Sequence, residues 1–354
     1  MRTEPDLDRR VLLDVLADRY LLDIERLEFV PYGIDSWSYA AVRSDGTRVF
    51  LKLVRPAFVA GATPRGAEFP LMAALADLGR VSVARPLPDR AGRLASAVDG
   101  FEISVLEYLE GRSLEDETIW PEALYARVAE TVAAIHASTG AVRHLVPRAE
   151  RFELPFLPPF TAALVALEAG ELLVRGGPPS NELHDLVVPR AVALRAGIGR
   201  LEALRDLAHR RAADGHGAGE VLCHTDLWGS NLLLSADGTL HVLDWNGALL
   251  GPPEHDLFMF AGTGFFPADR LGWFLDRYEA AFQPVRLDAD VFAFYLYRRS
   301  FEDLAAFVAE LAGGSADAMD PSETLGIVAG ILDDLPELQE RVRGVRRVLA
   351  ERIR

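Results

Sequence analysis

Between Asp6 and Tyr20 the apolar residues fall at Leu7, Val11, Leu12, Val15 and Leu16, a spacing that predicts a helix. The pattern then shortens. Leu27–Pro31, Trp37–Arg43 and Arg48–Val54 are brief apolar or alternating runs, separated by the polar segments Tyr32–Ser36 and Ser44–Thr47, and predict three strands joined by turns. Helical spacing returns over Arg65–Leu78, with Phe69, Leu71, Met72, Leu75 and Leu78 apolar. Gly92–Val98 and Phe101–Leu106 predict a further hairpin around Asp99-Gly100. From Pro121, a residue suited to a first helical turn, the pattern is mostly helical. It predicts helices over Pro121–Ser138, Thr161–Val174 and Glu182–Ala213, with the proline-rich Leu154–Pro159 as a loop. After residue 257 it predicts Arg270–Phe282, Ala289–Ala312, Thr324–Asp333 and Leu338–Ile353. The chain therefore reads as α+β, strand-rich over 1–109 and helix-rich over 110–354, with the boundary near Leu109.

One stretch interrupts the helical part. Val221–Leu257 reads as apolar strand, polar loop, short strand, turn, strand and loop. Asn231 follows Asp226 by five residues, and Asp244 closes the last short strand. That order suits metal-assisted phosphoryl transfer. One carboxylate takes the proton of an attacking hydroxyl, while an amide oxygen and a second carboxylate hold Mg²⁺ on nucleotide phosphates. Taken alone, Asp and Asn are also ordinary loop residues that bond their own backbone.

Two turns share a spacing with this chemistry. Asp45-Gly46-Thr47 leads to Lys52, and Asp237-Gly238-Thr239 leads over the same interval to Asp244. Strand alternation would put Lys52 and Asp244 each at the end of one face. Tyr32–Ser38 lies where a loop could cover phosphates. Gly33 is its one glycine, and Ser36 and Ser38 offer hydroxyls; it can equally be an ordinary hairpin turn. Glu68, in the first turn of the next predicted helix, either pairs with Lys52 or answers the helix dipole. Glu107, Tyr108 and Leu109 follow an apolar strand and could offer backbone groups to an adenine edge, though Tyr108 also suits a core.

Composition sharpens this at one point. Of 37 basic residues only Lys52 is a lysine. Where arginine has replaced lysine everywhere else, the one retained suggests a site that needs a compact point charge rather than a planar fork, with accident the weaker account. The net charge of −16 comes without a basic stripe, so nucleic acid is not an expected partner. An acidic surface suits a cationic small molecule, and solubility alone explains most of the charge. The lone Cys223, a polar N-terminus and the lack of a spanning apolar run lead to the expectation of a cytoplasmic protein off the membrane. His136 reads as a core histidine, and His184, His209 and His216 lack metal spacing. The aromatic segment around Arg298, Arg299, Glu302 and Asp303 is a core helix with a charged face or a wall of a substrate pocket.

Lys52, Glu68, the Glu107–Leu109 segment, HTDLWGSN, VLDW and GPPEHDL together resemble the aminoglycoside phosphotransferase family. Thr225 stands where that family has glycine, and Trp245-Asn246 where protein kinases carry Phe-Gly. The resemblance implies a bilobal protein-kinase-like fold, with a small N-terminal sheet lobe carrying one main helix and a larger helical C-terminal lobe. It implies Asp226 as base, Asn231 and Asp244 as Mg²⁺ ligands, Lys52 on the phosphates of ATP or GTP, and Glu68 holding Lys52. His224 and Asp256 would brace the catalytic loop. The wording is most similar to the spectinomycin phosphotransferase branch, which implies a hydroxyl-bearing antibiotic as acceptor, with Glu302 and Asp303, beside Arg299, facing its amines. Other readings are a kinase of a different antibiotic, or of a sugar or choline-like alcohol. A nucleotide-binding pseudokinase and a metal-dependent hydrolase are further alternatives.

Overall fold

The computed structural model describes residues 3–31, 36–55, 66–115, 120–171, 178–215, 219–263, 266–283, 285–313 and 319–352. Expectations on Tyr32–Asp35 with Gly33, Arg65, Val174, His216 and Ile353 lie outside them. Two units are compact: residues 1–149, 221–251 and 280–282 form the first, and 150–220, 252–279 and 283–354 the second.

In the first unit, helix α1 (Arg9–Tyr20) precedes β1 (Ile24–Val30), β2 (Trp37–Arg43) and β3 (Arg48–Val54). Helix α2 (Phe69–Leu78) leads to β4 (Ser82–Val83), β5 (Pro86–Leu87), β6 (Ser96–Val98) and β7 (Phe101–Glu107). The antiparallel sheet runs β1-β2-β3-β7-β5, and β6 pairs β7. Alternation along β3 splits its side chains. Val49, Leu51 and Leu53 join Tyr39, Ala41, Ile103 and Val105 in a buried core with Leu12, Leu16 and Tyr20 of α1. Phe50 and Lys52 take the opposite face, where Lys52 is paired in register with Ser38 and Ser104.

Helix α2 starts at Phe69, later than its apolar spacing suggests. Gly66, at φ +80°, turns the chain there, and a Cβ on it would meet the Phe69 ring at 2.9 Å. The unit continues with β8 (Arg112–Ser113), α3 (Glu122–Ala137), α4 (Thr139–Val142), β9 (Val221–Cys223), β10 (Leu232–Leu234), β11 (Leu240–Val242) and β12 (Leu249–Gly251). β11 pairs β4 in parallel and β10 pairs β8, while β12 pairs β9. β4, β11, β10 and β8 thus form a second sheet, which ties 221–251 to the residues before and after β7. His241 adds a side-chain tie across the same strands, with Nδ1 2.7 Å from Ser82 Oγ and Nε2 2.6 Å from Ser235 Oγ.

The second unit is helical: α5 (Leu157–Glu168), α6 (Pro178–Val187), α7 (Ala191–Ala213), α8 (Glu254–Leu257), α9 (Leu271–Ala281, its last residues counted with the first unit), α10 (Ala289–Gly313), α11 (Pro321–Asp334) and α12 (Leu338–Arg352). The proline-rich segment expected as a loop opens α5 instead. Proline suits a first turn, whose N–H groups lack helical partners anyway. Around Pro189 a short 3-10 turn separates α6 from α7. Among the described residues no helix is long and apolar enough to cross a membrane.

Candidate active site

A cavity of about 300 Å³ lies wholly within the first unit. Ser36 just before β2, Ser38 on β2, and Phe50 and Lys52 on β3 contribute to its wall, and Glu68 and Met72 come from the start of α2. The chain leaving β7 adds Glu107, Tyr108 and Leu109, and Asn231 and Asp244 complete it. Residues far apart in sequence thus share one wall. Tyr108 is held from one side by the Arg48 guanidinium, 4.0 Å over its ring, and Arg48 is in turn paired with Glu110. Gly111 lets this segment approach β10, since a Cβ there would meet Leu233 Cβ and the Leu234 carbonyl at 3.2 Å.

The loop 224–231 is held by its own polar groups. His224 is fully buried, its Nε2 is 2.7 Å from the Leu243 carbonyl, and the Asp226 N–H points at its Nδ1 at 3.3 Å. Nε2 therefore carries the proton, because a carbonyl can only accept. The Trp245 indole packs edge-on against the same ring at 4.9 Å. Asn231 Nδ2 donates to the Asp226 carbonyl at 2.8 Å and to Asp226 Oδ2 at 2.9 Å. One amide thus orients the carboxylate and closes the loop. Gly229 is needed where the loop crosses β8's exit: a Cβ would lie 2.8 Å from the Leu114 carbonyl oxygen.

Asp244 is delivered differently from the alternation expected. β11 ends at Val242, and Asp244 sits at φ 56°, in the left-handed region. A backbone reversal, not the strand face, turns its carboxylate. Lys52 Nζ lies 3.0 Å from Asp244 Oδ1, so this is the ion pair Lys52 makes, and Glu68 lines the same cavity as the N-cap residue of α2. Glu68 makes no side-chain cap bond. Thr225, in the place of the family's glycine, also lies at φ 78°. For a β-branched residue this is strained by about 1–3 kcal/mol.

The donor set suits a hard cation. With Asn231 Nδ2 committed to Asp226, its Oδ1 is the amide atom left for a metal, and Asp244 adds a carboxylate. Both are oxygen ligands of the kind Mg²⁺ prefers over nitrogen or sulfur.

Other expected residues belong to the second unit. Asp256 is fully buried in α8. On α10, Arg299 Nε is 2.8 Å from Asp303 Oδ2, and Arg298 Nε is 3.5 Å from Glu302 Oε2. Both acidic residues thus carry an arginine one turn before them, and the segment is not a bare acidic wall. A buried carboxylate that the sequence did not mark lies below them. Glu150 Oε2 accepts from Tyr295 Oη at 3.0 Å and from Arg298 Nη1 at 3.1 Å, with His255 Nδ1 also at 3.1 Å. His255 stacks on Tyr295 at 4.1 Å. Burial alone would raise the Glu150 carboxyl, but His255, Arg298 and the Phe152 N–H outweigh it and hold it at about 2. No motif or periodicity signals Glu150, whose side-chain partners His255, Tyr295 and Arg298 come from 105 to 148 residues away.

The phosphotransferase enzyme family matches residues 27–295 of this chain. The chain belongs to that family. Protein StrN of Streptomyces griseus is 30% identical to this phosphotransferase over 241 residues, covering 66% of this chain and 69% of that one. In fold it is similar to a spectinomycin phosphotransferase solved with ADP and spectinomycin, with a TM-score of 0.72, 14% identity and coverage of 97% and 99% of the two chains. It is also similar in fold to choline kinase LicA of Streptococcus pneumoniae, at a TM-score of 0.56, 19% identity and coverage of 96% and 99%. The protein is therefore a phosphotransferase enzyme with the kinase-like α+β fold expected from its sequence.

Proposed function

We propose that this phosphotransferase moves the γ-phosphate of ATP or GTP to a hydroxyl of a small molecule. The observation that carries this reading is the single cavity shared by Lys52, Asn231 and Asp244, with Asp226 bonded to Asn231. Asp226 accepts the proton of the acceptor hydroxyl as its oxygen bonds to the γ-phosphorus. The bond from that phosphorus to the bridging oxygen breaks, and the nucleoside diphosphate leaves. Lys52 answers phosphate charge, with Glu68 placed to take over from Asp244 as its partner. Ser36 and Ser38 lie toward the phosphates, and backbone groups of Glu107–Leu109 toward the base, where Leu109 marks the lobe boundary. Mg²⁺ held by Asn231 Oδ1 and Asp244 would neutralise charge on the phosphate oxygens. His224 braces the loop, and the same role is proposed for Asp256.

The acceptor is proposed to be an aminocyclitol or aminoglycoside antibiotic of the spectinomycin kind, which phosphorylation would inactivate. Near full-length likeness to the spectinomycin phosphotransferase supports this. Arg299, Glu302 and Asp303 are its proposed contacts. The arginine partners of Glu302 and Asp303 leave less negative charge for a polycationic drug and favour a second reading, a metabolic alcohol with at most one cationic centre, in keeping with the likeness to choline kinase.

The test is incubation with Mg²⁺ and ATP or GTP across a panel of such antibiotics and alcohols, with the added phosphate followed by mass spectrometry. Phosphate on spectinomycin or a relative supports the first reading, and phosphate on choline or another alcohol alone supports the second. Absence of nucleotide binding would sink both.

A further inference from the structure

Two residues in the catalytic region sit against their local preferences. Thr225 holds φ 78°, a conformation in which glycine is unstrained and a β-branched residue is not. Gly247, in contrast, lies outside the positive-φ region, so its backbone does not ask for glycine. Each is explained by the other. β9 and β12 pair Cys223 with Leu249, where the ladder ends, and the same register continued two residues beyond it brings Thr225 to Gly247. Thr225 Oγ1 donates to the Gly247 carbonyl at 3.4 Å, long for a hydrogen bond. The steric fit is tighter: a Cβ on Gly247 would lie 2.5 Å from Thr225 Oγ1 and 3.2 Å from the His224 carbonyl oxygen. The side chain of Thr225 occupies the space that a side chain at 247 would need.

The position of this contact gives it a role. Thr225 immediately precedes Asp226, and Gly247 lies three residues after Asp244, in the short turn Trp245–Gly247. Arg148 holds the outer side of that turn through the Asn246 carbonyl at 2.7 Å. The two left-handed residues, Thr225 and Asp244, are therefore coupled where the chain segments bearing the two carboxylates touch. We propose that Thr225, seated on Gly247, is a positioning residue that sets Asp226 against Asp244 for phosphoryl transfer. This rests on the phosphotransfer reading above.

A size-swap cycle tests it, using Mg²⁺-dependent nucleotide hydrolysis, which needs no known acceptor, and thermal unfolding of each variant. Thr225→Gly should lower kcat by about tenfold to a hundredfold, as a small misplacement of reacting groups does, with nucleotide KM within about twofold. Its Tm should be unchanged or higher, because the strained φ is relieved. A residue that served stability alone would lose both together. Gly247→Ala should lower kcat in the same way. The double variant Thr225→Gly/Gly247→Ala should recover most of the lost rate, since the new Cβ fills the vacated space. Thr225→Ser, which keeps the oxygen, should stay near wild type. Wild-type turnover in Thr225→Gly, or a double variant as slow as the product of the singles, would overturn the proposal. If the wild-type protein turns over neither ATP nor GTP, the phosphotransfer reading fails on its own. The 225–247 contact is then judged by the Tm cycle, where additivity overturns it.

Discussion

At the scale of single residues, the role proposed for Asp226 places two demands on one carboxylate. It must keep a defined direction, and it must be able to take a proton. Asn231 meets the first through Oδ2 and through the carbonyl of the same residue, so direction and loop closure share one amide. Asp226→Asn keeps the shape and removes the base. It should reduce phosphate transfer by about a hundredfold to ten-thousandfold, the usual worth of a general base. Calorimetry should find Mg²⁺–nucleotide affinity nearly unchanged, and undiminished transfer would remove Asp226 from the mechanism. The identities and spacing of Asp226, Asn231 and Asp244 were plain in the sequence. What aims Asp244 was not, because the left-handed turn at that residue leaves no mark in an alternation pattern.

At the scale of elements, the two Asp-Gly-Thr turns match in detail. Asp45 Oδ1 and Asp237 Oδ1 each accept the N–H two residues on at 2.9 Å, and Gly46 and Gly238 supply φ near +82° and +84°. Local bonds of this kind depend on adjacent residues, which is why both hairpins were legible. The catalytic loop also depends on a distant segment. The Leu114 N–H donates to the Gly229 carbonyl at 3.2 Å, and the backbone there leaves no room for a side chain. Gly229→Ala should cost about 1–3 kcal/mol in denaturant unfolding, because a backbone atom and not a flexible tip must move. It should also lower kcat by shifting the loop that carries Asp226. Gly199→Ala in α7, where nothing lies within 4 Å, should instead be neutral or stabilise by about 0.5–1 kcal/mol. Equal behaviour of the two variants would contradict the close approach at Gly229.

At the scale of the molecule, pH reports on carboxylates buried by the fold of the second unit. Burial pushes the Glu254 carboxyl up to about 7, and neighbouring Asp288 adds to the rise, although the Asp288 N–H donates to Glu254 Oε1 at 2.6 Å. Between the ordinary value of 4.5 and about 7 the unfolded chain releases a proton that the folded chain retains. This group's contribution to stability is therefore full below 4.5, falls as pH rises and is lost above about 7. Glu254→Gln removes the ionisable proton but keeps the acceptor. It should raise stability at pH 8 by about 3 kcal/mol, at about 1.4 per pH unit, with the advantage fading toward pH 4.5. Urea melts of both proteins at several pH values would show this, and a pH-independent difference would refute it. Nothing in GPPEHDL marks Glu254 as a carboxyl raised by burial, since burial comes from chain segments remote in sequence.

The sequence by itself determined the α+β class, the order of the longer strands and main helices, the phosphotransfer signature and the singular lysine. These rest on periodicity, turn chemistry and spacing, all carried by neighbours along the chain. Tertiary structure alone decided that Lys52 pairs with Asp244, 192 residues away. It alone decided that Glu150 is a buried hub and that Thr225 and Gly247 fit each other. Such contacts depend on distances of a few ångströms between segments many residues apart, and only the folded chain sets those distances.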